Sequence, residues 1–502
     1  MNEDTQSYGK ILRATSIMGG AAGVTLLLGM VRVKFAAVLI GMAGVGLLAS
    51  FTAIQGLVGT LAGLGIQSSA VRDVAVALAK QDNESIGRTV LALRRTCWLT
   101  GLTGMAALML LAPLISRITF GHGGYSLDIA ALGIVILFAN LSGGQIALIQ
   151  GSRRIGDMAR ANVIGAALAT AAAIGCYVWL GQRGIVPAMV AVSAIQLALS
   201  WHFARRVPVP KVAMNWRQTF AEAGGMVSMG LIFMWNGLLV SAVAYLTVML
   251  ITQQAGLQAV GLYSAAFALS GIFVNFILGS MSADYYPRLT GVANDHAAVN
   301  RLVNEQTEIA LLLAAPGLLV MLALAPWIMQ LFYSREFLPA VELLQWFVLG
   351  CAGRVISWPL GFVMLALGKS RWFFATETAF NTLHVLLIAL GLLVLGITGV
   401  AVAFFVMYVG YTMAVYLVAR HLTGFAWRES CRKIARLTLP ALAATFLATL
   451  LLPLWPATIL GALASIAAAA YSLRGLMQRI GPQHRIVLAA CRIPGVRAVC
   501  GL

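Results

Sequence analysis

Acidic residues are the scarcest feature of this sequence. Sixteen Asp and Glu stand against 34 Lys and Arg in 502 residues, and the four types together supply only 10% of the chain. A soluble protein carries about a quarter of its residues charged, so a water-exposed globule of this length is excluded. Cysteine is sparse too. Cys97, Cys176, Cys351, Cys431, Cys491 and Cys500 show no metal-ligand spacing, which predicts free thiols and neither metal nor cofactor. Catalytic signatures are missing. The chain has no Walker lysine, no His-Glu-x-x-His and no nucleophile elbow, and His122, His202, His296, His384, His421 and His484 are scattered.

Apolar residues are abundant instead: 60% of the chain, in blocks long enough to cross about 30 Å of hydrocarbon. The alternating short segments of a β-barrel are absent. The expected fold class is therefore an all-α polytopic membrane protein, with fourteen spans read from the blocks. The polar start (Asn2 to Ser7, then Lys10 and Arg13) leads into a stretch too long for a signal-peptide core, so the first span is expected to stay. Basic residues fall in alternate loops. Arg72, Lys80, Arg88, Arg94 and Arg95, Arg153, Arg154 and Arg160, Arg205, Arg206, Lys211 and Arg217, Arg288 and Arg301, Lys369 and Arg371, and Arg420 to Arg436 lie on one side. Only Arg117, Arg183 and Arg335 lie on the other. The net charge of +18 is thus an orientation signal that puts both termini in the cytoplasm, not a nucleic-acid footprint. The loops on the sparse side are too short for an extracytoplasmic catalytic domain, so no enzyme is expected.

The chain also repeats itself. Gly41-Met-Ala-Gly-Val-Gly46-Leu returns as Gly256-Leu-Gln-Ala-Val-Gly261-Leu, 215 residues on. The same shift carries Leu180-Gly181-x-x-Gly184 onto Leu395-Gly396-x-x-Gly399 and Ala204-Arg205 onto Ala419-Arg420. A third echo reads slightly out of step: Gly151-Ser-Arg-Arg154 against Gly368-Lys-Ser-Arg371. Such duplication is a mark of transporter folds. The predicted domains are a six-helix bundle over 1–207, a second over 208–421, two appended spans over 422–475 and a basic tail over 476–502.

Ionisable groups inside spans each need a reason, since one at a helix centre costs about 3 kcal/mol by insertion scales. Arg354 sits too deep to snorkel and is the first candidate for a cavity cation. Lys34 and Arg32 follow; two residues apart, they point roughly 200° apart on a helix, so at most one faces a central cavity. Glu377 is the candidate cavity carboxylate and proton-coupling group. Arg72 with Asp73, and Asp284 with Arg288, are candidates for an inner gate. In the latter stretch (Asp284-Tyr-Tyr-Pro-Arg-Leu289) Pro287 is read as the stop of the helix. Asn140, Gln145 and Asn275 are candidate sugar contacts. Interhelical hydrogen bonds explain such amides equally well. Glu222, Glu305, Glu308 and Asp128 read as carboxylates at helix starts.

With six, six and two spans, the Gly-x-x-Gly-Val-Gly-Leu motif, the Tyr-Tyr-Pro-Arg-Leu stretch and Gly368-Lys-Ser-Arg-Trp-Phe-Phe-Ala-Thr-Glu377, the chain resembles bacterial O-antigen translocases. These form the polysaccharide-transport branch of the multidrug/oligosaccharidyl-lipid/polysaccharide exporter superfamily and include the enterobacterial common antigen lipid flippases. The resemblance implies two six-helix bundles in a V around a cationic cavity. It implies a flippase for undecaprenyl-pyrophosphate-linked oligosaccharide in the bacterial inner membrane, with membrane lipids, a glycan polymerase and a chain-length regulator as partners. It places Lys34, Arg354 and Glu377 where relatives carry residues of like charge. Cys351 stands where some relatives have an acid. Against the alternative of a cation-coupled drug antiporter of the same superfamily, the mid-span charges are mainly basic. A lipid pyrophosphate needs such positive charge in low dielectric.

Overall fold

The computed structural model describes residues 3–79 and 82–480. Lys80, His484, Cys491, Cys500 and the tail from residue 481 lie outside the described residues. Among the described residues the secondary structure is helical, with no strand. The helices are α1 (Glu3–Gly63), α2 (Ile66–Ala79), α3 (Asn83–Phe120), α4 (Ser126–Gly151), α5 (Ile155–Leu180), α6 (Ile185–Ala204) and α7 (Trp216–Gly291). They continue as α8 (His296–Ala323), α9 (Ala325–Phe332), α10 (Val341–Ala366), α11 (Ser370–Leu395), α12 (Thr398–Thr423), α13 (Glu429–Leu451) and α14 (Leu454–Ile480).

Eleven stretches among these residues are long and apolar enough to cross a membrane. Three of them, at 45, 50 and 49 residues, are twice the length one crossing needs. Each contains a glycine break. In α1 it is Gly41 (φ 67°, ψ −175°) and in α7 Gly256 (φ 79°, ψ 178°). Between α5 and α6 it is Gly181 (φ 55°), opening a 3₁₀ turn through Gly184. A side chain at such φ would be strained, so glycine is what the kink requires.

The chain divides into two compact units: Met1–Gly261 with Phe332–Ser334, and Leu262–Leu331 with Arg335–Leu502. Within the first unit, α7 crosses α1 backbone to backbone at the repeated motif. A Cβ on Gly46 would fall on the carbonyl oxygen of Leu257, and one on Gly261 on that of Met42. Gly65 and Gly230 form a second such crossing, each lying against the other's stretch of backbone. Small residues at crossings are how membrane helices approach this closely. The core of this unit gathers Ile66, Val74, Val90, Leu93, Leu148 and Phe203. The core of the second gathers Leu289, Val303, Leu360, Val363, Val415 and Phe425.

The structure corrects several local expectations. Pro287 does not end its helix; α7 runs on to Gly291. Tyr285 and Leu289 on either side are buried, and the Tyr285 hydroxyl donates to the Pro359 carbonyl at 2.9 Å, so packing holds the turn together. The third echo is in register after all. Arg153 (φ 53°) and Gly368 (φ 67°) occupy the same left-handed turn after α4 and α10, 215 residues apart. Glu222, Glu305 and Glu308 are not at helix starts, since α7 begins at Trp216 and α8 at His296. The α8 start is capped by Asp295, whose carboxylate accepts from the amides of Ala297 and Ala298. Asp128 does lie in the first turn of α4.

Glu308 instead holds the last helix. Its carboxylate, nearly buried, accepts from Arg479 Nη2 at 2.7 Å and Nε at 3.1 Å, and from the Ser430 hydroxyl. Arg479 thus belongs to α14 and not to a free tail.

Gly46→Ala is expected to abolish or strongly reduce folded protein, whereas Gly29→Ala, where a Cβ meets nothing within 4 Å, should be neutral or stabilising. Size-exclusion profiles and thermal unfolding in detergent decide this, and equal behaviour of the two variants would refute the crossing. Glu308→Gln should lower stability by about 2 kcal/mol, and Arg479→Gln added to it should cost less than additively, read as unfolding free energies.

Candidate functional site

Each unit encloses polar groups within otherwise apolar helices. In the first, residues of α1, α2, α4, α5 and α6 line a cavity of about 500 Å³. Among the described residues its only charged lining residue is Arg32, half-buried and close enough to Tyr177 to act on it electrostatically. Around it stand the amides of Gln55, Gln67 and Gln196 and the hydroxyls of Thr52, Ser142 and Ser193. A second cavity of about 360 Å³ shares Gln55, Gln67, Ala139 and Gly143 with the first. It adds Thr60, Ser68, Thr100 and Asn140. Asn140 is tethered by donating to the Ile136 carbonyl at 3.0 Å, which leaves its amide oxygen free to accept. Amides and hydroxyls at this density suit a hydroxyl-rich ligand better than an apolar one.

Lys34 lies on another face of α1. Its ammonium donates to the main-chain carbonyl of Tyr333 in the same unit. Of the two, Lys34 is the stronger expectation for a cavity because Arg32 can snorkel, yet Arg32 is the one that lines this cavity. Gln145 is buried in α4 and lines neither cavity, while Asn275 on α7 is exposed.

In the second unit α10, α11 and α12 bring together Arg354, Glu377, Tyr408 and Tyr411. The Tyr411 hydroxyl donates to Glu377 Oε1 at 2.5 Å, and Asn381 donates to the main-chain carbonyl of Glu377 at 2.8 Å. Arg354 is half-buried and acts electrostatically on Cys351 and Tyr408, as Glu377 does on Tyr408. Among the described residues no carboxylate oxygen lies within 4 Å of the Arg354 guanidinium. Gly353 lets α12 approach, since a Cβ there would press on the Tyr408 backbone and side chain. Thr412 ties the same helices by donating to the Gly353 carbonyl at 3.1 Å. Cys351 is fully buried, with its thiol directed at the Ser270 carbonyl at 3.6 Å.

The residues expected at an inner gate make local contacts. Arg72 donates to the Met229 sulfur at 3.0 Å, with the half-buried Asp73 beside it in α2. Arg288 and Asp284 form an exposed one-turn ion pair at 3.1 Å. Sequence reasoning missed the tyrosines. Tyr408-x-x-Tyr411-Thr412 has one-face helical spacing, and that was the available signal. Gln55, Gln67 and Gln196 carried no such pattern. Among the described residues no group of His, Cys, Asp and Glu is arranged to hold a metal.

The helices and their polar interiors define the class: a multi-pass helical membrane protein with the fold of a membrane transporter. Its fold is similar to that of the lipid II flippase MurJ in an inward closed conformation, with TM-score 0.68, 14% identity, and 92% of this chain and 99% of that one covered. It is likewise similar to an inward-facing multidrug resistance transporter of the MATE family, with TM-score 0.66, 13% identity, and 82% and 96% covered. A family model described as polysaccharide biosynthesis protein matches residues 37–342, and the chain belongs to that family. It is 25% identical over 414 residues to the lipid III flippase of Escherichia coli (strain K12), across 79% of this chain and 95% of that protein. The lipid III flippase of Shigella flexneri matches to the same extent.

A double-mutant cycle of Glu377→Gln and Tyr411→Phe should give a coupling of about 1.5 kcal/mol in unfolding free energy, as for a hydrogen bond to a charged group. Additive effects would remove that bond from the account.

Proposed function

We propose that this chain is a flippase that moves an undecaprenyl-pyrophosphate-linked oligosaccharide from the inner to the outer leaflet of the bacterial cytoplasmic membrane, without covalent chemistry. The observation that carries the reading is Arg354: a guanidinium in an apolar helix with no carboxylate beside it among the described residues. A permanent charge in that setting is costly unless an anion visits it. The match to the lipid III flippases along most of both chains supports the same reading.

On this reading the three long stretches broken at Gly41, Gly181 and Gly256 each cross twice. That makes fourteen crossings in two repeats of six with an appended pair, and both termini are cytoplasmic. The repeats carry alternating access. Arg354, with Arg32 and Lys34, offsets the pyrophosphate charge. Glu377, held by Tyr411, is the coupling carboxylate. Asn140 and the glutamines around Arg32 contact sugar hydroxyls. Arg72, Asp73, Asp284 and Arg288 border the inner mouth. Product passes to a glycan polymerase and its chain-length regulator.

The test is a leaflet-accessibility assay of a defined lipid-linked oligosaccharide in vesicles, with and without a pH gradient. Arg354→Ala should lower the flipping rate by at least about tenfold, and Arg354→Lys should keep part of it. Full activity in both variants would take Arg354 out of the mechanism. A deletion strain sensitive to drugs but normal in surface glycan would favour a drug antiporter.

A further inference from the structure

The basic residues at one end of the first unit are not all alike. Asp157, nearly buried in the first turn of α5, gathers Arg154 at 2.8 Å, Arg206 at 3.4 Å and Arg160 at 3.6 Å. Arg95 is satisfied by the Met214 carbonyl at 2.7 Å and the Thr219 hydroxyl at 2.8 Å. Arg94, Arg153, Arg205 and Arg217 have no ion pair or side-chain hydrogen bond among the described residues, and Arg94 and Arg205 are the two set beside Trp201. Arg94 stands over the Trp201 ring, 5.8 Å from its centroid, and its buried Nε has no hydrogen-bond partner. Arg205 is exposed, one turn beyond Trp201 on the same face of α6. Neither has a carboxylate within 4 Å among the described residues.

Their depth is fixed by the sequence. Residues 96–116 of α3, between Arg95 and Arg117, are uncharged, and at about 1.5 Å per residue they span about 31 Å, the thickness of the hydrocarbon. Arg94 therefore lies where the headgroups begin. Its strip of α3 continues into exposed Trp98, Leu102 and Met109, a surface made for acyl chains. A planar guanidinium over a tryptophan at headgroup depth, with a second guanidinium one turn beyond that ring, matches a phosphodiester above hydrocarbon.

We propose that Arg94, Trp201 and Arg205 form a docking site for one anionic phospholipid of the surrounding bilayer, such as phosphatidylglycerol, with its acyl chains along Trp98 and Leu102. The two unpaired positive charges select against a zwitterionic headgroup, whose amine they repel. Trp98 and Leu102 are exposed, so the occupant proposed is a lipid of the bilayer and not transported cargo.

The test is native mass spectrometry of the detergent-purified full chain titrated with phosphatidylglycerol or phosphatidylethanolamine, with inorganic phosphate as competitor. The wild type should retain one phosphatidylglycerol about tenfold more tightly than phosphatidylethanolamine, and millimolar phosphate should not displace it. Arg94→Gln and Arg205→Gln should each erode that preference and together erase it. Arg301→Gln, in the other unit, should leave it unchanged. Arg205 is exposed, so its variant remains informative if the Arg94 variant misfolds. An unaltered preference in the folded Arg205→Gln protein overturns the proposal. So does displacement by phosphate, which would mark a soluble-anion site, or tighter retention of undecaprenyl phosphate than of phosphatidylglycerol, which would mark a cargo site.

Discussion

The closest constraint in the molecule is the meeting of two stretches of bare backbone. Where α7 crosses α1, Gly46 lies on Leu257 and Gly261 on Met42 with no side chain between them. In a bilayer, apolar side chains gain little by leaving lipid for protein, so the close approach of backbones supplies much of what holds helices together. A methyl group at either position separates both helices, α1 and α7, which also supply lining residues of the cavity around Asn140. The two residues are the same residue of the duplicated motif, so the copies of the motif cross at their own equivalent points.

The second organising force is the cost of charge. Among the helices of the second unit, Glu308 and Arg479 neutralise each other, with Ser430 taking up a remaining lone pair. In the first, Asp157 gathers three arginines at the edge of the bundle. With only 16 acids for 34 Lys and Arg, most basic groups go without such a partner. Some of those, such as Arg153, Arg205, Lys211 and Lys369, sit between helices, where water or headgroups suffice. Arg354 and Arg32 do not. Arg354 has Tyr408 and the Cys351 thiol for company, and Glu377, which also acts on Tyr408, is engaged by the Tyr411 hydroxyl.

The duplication was legible because it is written in backbone angles that only glycine adopts easily. Gly41 and Gly256 share one kink, and Gly181 and Gly396 share one turn, with φ 55° and 60°. The third echo misled because one copy uses Arg153 at its left-handed position and the other Gly368, so residue identity lost the register that conformation kept. Gly65 breaks α1 from α2, whereas its equivalent 215 residues later is Ser280, and there α7 runs on. Periodicity placed Arg354 and Glu377 inside spans. It was blind to partners drawn from other helices: Tyr411 for Glu377, Arg479 for Glu308, and the Tyr333 carbonyl for Lys34. Such pairings are set by which helix faces meet, and a one-dimensional pattern does not record that.

The distribution of these partners separates structural charge from working charge. A guanidinium does not escape its burial by losing a proton, so it must be matched by a fixed anion, by dipoles or by something that comes and goes. A fixed anion gives a rigid joint, as at Glu308, and the last helix is held by one. Dipoles alone give a weaker match that a doubly charged phosphate group outbids, because its attraction in low dielectric exceeds that of a phenol or a thiol. Arg354 has the second kind of surroundings. If Glu377 were paired directly to Arg354, an arriving anion would have to break a full ion pair before binding. With Tyr411 holding the carboxylate, the guanidinium carries no direct carboxylate pair among the described residues, and Tyr408 is the group on which both charges act.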